Sequence, residues 1–352
     1  MKKLAYTLFF FIFLSLFNTL CAQTLSVKSL PGNARKALKD FVLIEEGSYT
    51  IGIFNGSDSL QCPLAQQVSI KSFYLNRFEV SVGDYQAFLR ETGDISNHYD
   101  STVWTKDYPY SYNEPMGRNY FWHPNFFQYP IVGISWEQAV RYCAWKTEQI
   151  NQWLEKTPYR VTVRLPSAIE WEYAAVGLSS TEDSKSEKSP ITKHRIYPWD
   201  GLFLQQEKKD GHFFTNCNSG PIRTPEEVTV IELPSDGFLY TAPVKSFQPN
   251  DAGLYQMAGN VSEWTSDNYA TIRDPHQSFM DKFEDGEKIN PAFLRRINAL
   301  VPAERFSDYK IIKGGSWVDG PFYMQAGVAK IQAPNKATCT TGFRSALVIE
   351  KK

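Results

Sequence analysis

Cysteine is scarce in this chain and never closely spaced. Five cysteines fall at positions 21, 62, 143, 217 and 339 of 352 residues. No CxxC pair occurs among them, which argues against a zinc site. Histidine is equally rare, and positions 98, 123, 194, 212 and 276 show no HxxxH or HxH spacing. His123, set between Trp122 and Pro124, reads as a structural hydrogen-bonding group rather than a ligand. An excess of one charge is also missing: 37 basic residues oppose 38 acidic ones, for a net charge of −1. Nothing in that balance favours nucleic acid or an anionic membrane as partner. What the chain has in plenty is rings and turns. Aromatic content is 15%, with 20 Pro and 21 Gly, a composition of irregular, loop-rich packing rather than a helical bundle. The length admits one large domain or two ordinary ones and a substantial core.

The first residues read as a targeting segment. Lys2 and Lys3 precede an apolar run from Leu4 to Leu20, then Cys21, Ala22 and Gln23. A basic start, an apolar stretch and a small residue before the cut describe a secretory signal peptide, residues 1–22, with cleavage expected after Ala22. Two alternatives stand beside it: an uncleaved anchor, because the run nears spanning length, and a lipid anchor on Cys21, opposed by bulky Leu20 where a lipidation motif carries a small residue. In an exported chain the remaining cysteines are free to form disulfides. Buried thiols are the competing reading, above all for Cys143 on an apolar helical face.

Residues 23–352 read as one domain. Phe41–Ile53 is expected to form a hairpin about a Glu-Gly-Ser turn, and residues 67–81 a second strand pair. Ser81 caps a predicted helix whose face is Tyr85, Phe88 and Leu89 and whose end is Gly93. Tyr99–Pro130 is rich in rings without lasting period, an ordered loop layer. Ser135 and Gln138 form a capping box ahead of a stronger helix, with Ala139, Val140, Cys143, Thr147, Ile150 and Leu154 at helical spacing. After a β-like VTVRL, Ser167 and Glu170 cap a third helix with Trp171, Ala174 and Ala175 inward and Gly177 at its stop. Glu170 and Glu172 lie on different sides of that helix, so they read as cap and ion-pair residues rather than a catalytic carboxylate pair. Polar insertions are expected near 179–190 and 268–308, and IIKGGSW and TGFRSALVI close the chain as strands.

One stretch organises the rest: GLYQMAGNVSEWTSD, Gly253 to Asp267. Its glycines mark tight turning. Gln256, Asn260, Ser262, Glu263 and Asp267 crowd oxygens around that turn, with main-chain carbonyls at Gly259 and Val261. Oxygen donors on a rigid loop suit Ca²⁺. A surface turn whose tryptophan plugs the core accounts for the same spacing, and no EF-hand register is present.

The segment resembles the signature of the formylglycine-generating enzyme, or sulfatase-modifying factor, family. NRFEVSVGDYQAFL, YPIVGISWEQAVRYCAW, RLPSAIEWEYAA, YPWDG, TAPVKSFQPNDAG ahead of the signature, KGGSW and TGFRSA match the same family in the same order. The resemblance implies a compact α+β domain related to the C-type lectin fold, an irregular mixed sheet with few helices. It also implies structural calcium. One set comprises Gln256 and Glu263 side chains with Gly259 and Val261 carbonyls, Gln256 standing where the family usually has Asn. The other comprises Asn216 and Asp236 side chains with Cys217 and Phe238 carbonyls.

The family's chemistry implies a cysteine pair after GGS that binds copper as thiolate. Here the corresponding positions hold Asp319 and Met324, and Ser316 alone does not restore a redox pair. Neither copper nor iron is therefore expected, and no catalytic residue is assigned. KGGSWVDGPFYMQAG, DSTVW, YSYNEPM and NYFWHPNFFQYP resemble a narrower branch, the GldJ, GldK and PorK lipoproteins of gliding motility and type IX secretion in Bacteroidetes-type bacteria. That resemblance implies a non-catalytic exported scaffold, periplasmic and associated with the outer membrane. Its partners would be other subunits of a secretion or gliding complex, and membrane contact would come through them or a lipid anchor. The rivals are a metal-dependent oxidase with a non-standard site and a glycan-binding module using the rings between Trp104 and Tyr129.

Overall fold

The computed structural model describes residues 26–51, 66–107, 115–176, 195–201, 204, 213–217, 236–269 and 308–352. The expected signal peptide, the 179–190 insertion, Gly177, Cys62 and nearly all of the 268–308 insertion lie outside these residues.

Ten strands and six α-helices occur among the described residues. The strands are β1 Phe41–Ile44, β2 Gly47–Ile51, β3 Gln66–Ile70, β4 Phe73–Asn76, β5 Tyr159–Arg164, β6 Ser262–Asn268, β7 Lys310–Lys313, β8 Ala329–Gln332, β9 Thr341–Gly342 and β10 Ala346–Lys351. The helices are α1 Gly32–Ala37, α2 Val82–Thr92, α3 Val103–Asp107, α4 Pro115–Asn119, α5 Trp136–Trp153 and α6 Ala168–Val176. One sheet runs β1-β4-β10-β5, a second pairs β2 with β3, and a third runs β8-β7-β6-β9. The fold is α+β with few helices, and no described helix is long and apolar enough to cross a membrane.

The helix ends follow the local chemistry of the sequence. Ser81 Oγ accepts from Asp84 N, and Gly93 closes α2 in the left-handed region, where glycine carries no Cβ penalty. Ser135 and Gln138 make a reciprocal capping box at α5. Ser167 and Glu170 repeat it at α6, where Ser167 N donates to Glu170 Oε2 at 2.8 Å and Glu170 N to Ser167 Oγ at 3.1 Å. Val140 departs from the expected inward face: it is one of the exposed hydrophobic residues, whereas Ala139, Cys143 and Ile150 are buried. Its neighbour on the inner side is Tyr142, which takes the core position and stacks on Tyr85.

The expected hairpin over Phe41–Ile53 and the strand pair expected over residues 67–81 pair with each other rather than within themselves. β1 pairs with β4, and β2 pairs with β3. Ile44 stands opposite Phe73 and Gly47 opposite Ile70, so the register continues across the break as one long bent hairpin. Glu45 and Glu46 bend the strand without reversing it. Glu46 N donates to Ser72 Oγ at 3.1 Å, and Tyr173 OH donates to Glu45 O at 3.2 Å.

The main core joins α2, α5, β5 and the ring layer between residues 99 and 130. There Tyr99 stacks on Phe121 at 4.0 Å, and Trp104 on Trp317 at 5.9 Å. His123 has the expected structural role: its Nδ1 accepts from Asn125 N at 3.3 Å. A second core, between α6 and the bent hairpin, holds Trp171, Ala174 and Leu75.

Candidate functional site

The Gly253–Asp267 segment is a buried loop running into β6. Gly259 has φ 73°, and an added Cβ would collide with Asn216 O, so the loop presses directly on the irregular 215–217 segment. Gln256 and Asn260 are also left-handed, at φ 52° and 57°, a conformation that costs non-glycine residues energy and persists only where surroundings enforce it. For Asn260 the enforcement is visible. Its Nδ2 donates to Glu79 Oε2 at 2.8 Å and its Oδ1 accepts from Ala242 N at 2.8 Å. Glu79 itself is buried, and burial, then the nearby Glu263 charge, pushes its carboxyl well above the usual carboxylate range.

The structure brings the expected residues together in two groups. In the first, Glu263 is fully buried and held by Arg344, whose Nε donates to both carboxylate oxygens at 2.9 and 2.7 Å. Trp171 Nε1 completes the set at 2.8 Å. Arg344 also donates to the carbonyls of Asn76, Arg77, Tyr255 and Gln256. An ion at Gln256, Gly259, Val261 and Glu263 would therefore share Glu263 with a guanidinium already in place. Gln256 is 5% exposed, and among the described residues neither atom of its amide has a partner. Asp267 points elsewhere: its Oδ2 accepts from Ala168 N at 2.6 Å, at the start of α6.

In the second group, Asp236 Oδ2 accepts from Cys217 N at 3.1 Å and Oδ1 from Phe238 N at 3.0 Å. Asn216 adjoins it, with Nδ2 donating to Tyr240 O at 2.7 Å. Burial raises the Asp236 carboxyl, so this carboxylate sits in a place that a cation would stabilise. Among the described residues no cluster of three or more His, Cys, Asp or Glu side chains is placed to hold a metal ion. Amide and main-chain oxygens would have to supply most of any shell here, a donor set that suits Ca²⁺. Asn216, Cys217, Asp236 and Phe238 fit that requirement better than the Glu263 set.

The Asp319 and Met324 positions are built into the structure. Ser316 Oγ donates to Asp319 Oδ2 at 2.5 Å, and Lys330 forms an ion pair with the same carboxylate. Met324 is fully buried in a cluster with Tyr197, Cys217 and Ala258. It lies over Gly315, where an added Cβ would come within 2.7 Å of the Met324 Cε. Cys143, Cys217 and Cys339 are buried and unbridged. Burial pushes the Cys217 thiol up to about 12 and raises the other two as well. None of these thiols is available as a thiolate near neutrality.

Arg344, Glu79 and Lys330 were not singled out by sequence reasoning. Arg344 lies inside the TGFRSA motif, where a charged residue within a strand-like run was the available signal. Glu79 likewise lies inside NRFEVS, between Phe78 and Val80. A second buried ion pair joins Lys313 to Glu172 at 3.0 Å. It answers the ion-pair reading of Glu172, with Tyr49 OH donating to the other carboxylate oxygen.

A buried carboxylate–guanidinium centre in an irregular loop scaffold, flanked by a GGSW turn, defines a class of compact α+β domain. The chain belongs to the sulfatase-modifying factor enzyme 1-like domain family, whose model matches residues 27–349. It is 27% identical over 272 residues to the formylglycine-generating enzyme of Mus musculus, covering 70% of this chain and 63% of that one. The chain therefore spans under two thirds of that relative. It is 26% identical to the formylglycine-generating enzyme of Thermomonospora curvata, covering 88% of this chain and 93% of the relative. It is 25% identical to the inactive C-alpha-formylglycine-generating enzyme 2 of Bos taurus, covering 80% and 79%. Among solved structures, PvdO from Pseudomonas aeruginosa is similar in fold, with TM-score 0.53 at 21% identity over 88% of this chain and 94% of that one.

Proposed function

We propose that this chain is a non-catalytic member of the family, an exported scaffold acting by protein–protein contact. The observation that carries the reading is at the GGSW turn. Asp319 is committed to Ser316 and Lys330, and Met324 fills the core, so both positions serve structure. Relatives named inactive support the reading that this fold persists without the chemistry. The KGGSWVDGPFYMQAG and NYFWHPNFFQYP segments, by their resemblance to gliding-motility and type IX secretion lipoproteins, suggest an assembly at the outer membrane. The Lys2–Leu20 stretch suggests periplasmic delivery. The test is the native size and co-purifying proteins of the C-terminally tagged chain, gently extracted from the cell envelope. A large particle carrying secretion or gliding subunits is expected, and a lone monomer would overturn the assembly.

Structural calcium belongs to the same proposal, held by Asn216 and Asp236 with the carbonyls of Cys217 and Phe238. The second reading is a metal-dependent oxidase, favoured by the relatives named as formylglycine-generating enzymes. Stoichiometric copper or iron in the purified protein would favour it over the scaffold.

A further inference from the structure

The near-even sum of charges over the whole chain hides an uneven beginning. Lys2, Lys3, Lys28, Arg35, Lys36 and Lys39 all precede the first acidic residue, Asp40. The last four lie beyond the expected cleavage point and belong to the folded domain. Lys28 stands in the single turn Val27–Ser29, Arg35 and Lys36 in α1, and Lys39 in the turn that leaves it.

α1 is short and two-sided. Leu30, Ala34 and Leu38 are buried in the main core, and Leu38 N donates to Ala34 O at 3.0 Å. At about 100° per residue, Ala34 and Leu38 share the inner side, and Arg35, Lys36 and Lys39 fall within roughly a third of a turn on the outer one. Lys28, Arg35, Lys36 and Lys39 are all exposed. Among the described residues no carboxylate forms an ion pair with any of them. The segment is fixed to the domain: Val27 N donates to Tyr74 OH at 3.2 Å, and Ser26 Oγ accepts from Lys28 N at 3.2 Å. The four charges are therefore a set part of the domain surface.

We propose that this basic face docks on an anionic phospholipid bilayer. The inference depends on the exported reading above and adds a contact made by the folded domain itself. Two observations choose lipid over other anions. The face is opposite in sign to acidic headgroups, which attract each nearby Lys or Arg. The chain also leads there. The apolar run Leu4–Leu20 and Cys21 stand just ahead of Ser26, and the stretch from Cys21 to Ser26 spans at most about 18 Å. Held by the run, or by a lipid on Cys21, α1 stays close to the headgroups. One lipid chain alone gives marginal, reversible binding, and a basic patch is a second signal that makes it stable. With cleavage after Ala22, the same face is the domain's own weaker hold on the membrane. Docking through a fixed face also orients the domain and leaves its opposite side free for other subunits.

The experiment is co-sedimentation of the purified mature chain, Gln23 to Lys352, with vesicles of phosphatidylcholine alone or with about one third phosphatidylglycerol. The apolar run, Cys21 and other subunits are all left out, so binding comes from the folded domain. Anionic vesicles are expected to bind the protein and neutral ones to leave it in solution. Raising salt from about 50 mM to about 0.5 M is expected to release it. Lys36→Gln is expected to weaken binding about fivefold, and Arg35→Gln, Lys36→Gln and Lys39→Gln together about a hundredfold. Lys336→Gln, at an exposed lysine elsewhere in the chain, is expected to leave it unchanged. Unchanged melting temperatures check that these surface variants are folded. Equal binding to neutral vesicles, no binding to anionic ones, or a triple variant that binds like wild type would overturn the proposal. So would loss of the envelope particle by the triple variant without any vesicle binding, because an acidic subunit would then cover this face. Vesicle binding by a protein that never leaves the monomer would sink the scaffold reading and keep the lipid contact.

Discussion

Arg344 grips Glu263 through Nε and Nη2, with three contacts between 2.7 and 2.9 Å, at a point where neither side chain reaches solvent. The pair ties β6 to the residues just ahead of β10, and through carbonyls of residues 76, 77, 255 and 256 it fixes the entry to the loop. Removing one partner strands a charge in a low-dielectric interior, which costs about 3–5 kcal/mol. Glu263→Gln and Arg344→Met are each expected to lose stability of that order in denaturant unfolding. The double variant is expected to lose less than the two together, because the stranded charge is gone. Additive losses would mean that the two residues act independently.

Glu79 predicts a pH dependence of definite sign. Its carboxyl is raised in the folded protein by burial and by Glu263, so the folded state holds a proton that the unfolded chain releases near its ordinary value of 4.5. Above that value the unfolded state binds fewer protons, and stability falls as pH rises toward the folded value. The slope is about 1.4 kcal/mol per pH unit for a single proton. Glu79→Gln is expected to remove this slope, so that the variant gains on the wild type as the pH rises above 4.5. Parallel pH profiles of the two proteins would refute it.

Sequence legibility followed distance along the chain. The caps at Ser81, Ser135 and Ser167 depend on residues three positions away, and local hydrogen-bond chemistry is enough to place them. The strand pairing was misread because Glu45 and Glu46 carry turn-like polarity, while the partner of Phe41 is Asn76, on the far side of two other strands. The candidate site divides in the same way. The residues from Gln256 to Glu263 were legible as a motif, but Arg344 is 81 residues from Glu263, and no periodicity reports a contact of that span. Asp319 and Met324 were legible as departures from the cysteine pair that the resemblance implies; the ion pair of Asp319 with Lys330 was not.

That partner gives a contrast between two substitutions. Met324 is fully buried, so Met324→Ala should leave a cavity and cost about 2–5 kcal/mol. Lys330 is 25% exposed in its side chain, so solvent screens its pair with Asp319, and Asp319→Ala should cost only about 1 kcal/mol. Chemical denaturation of both variants checks the ranking. Copper-dependent oxygen uptake by the wild type with a cysteine peptide, lost in Asp319→Ala, would show instead that Asp319 does chemistry.

Calcium separates the two ligand sets. If Asn216, Cys217, Asp236 and Phe238 hold an ion that binds only the folded state, chelation lowers the melting temperature by on the order of 5–10 °C for a site held at a hundredfold its dissociation constant. Asp236→Asn removes the one full negative charge in that set and is expected to abolish the response to chelation. Glu263→Gln is expected to be less stable throughout yet to keep the response, because its carboxylate is satisfied by Arg344 and Trp171. Calorimetric melting of the three proteins with calcium and with chelator decides between them. A response lost in Glu263→Gln and kept in Asp236→Asn would move the ion to the Gln256 loop and make Arg344 its neighbour rather than its replacement.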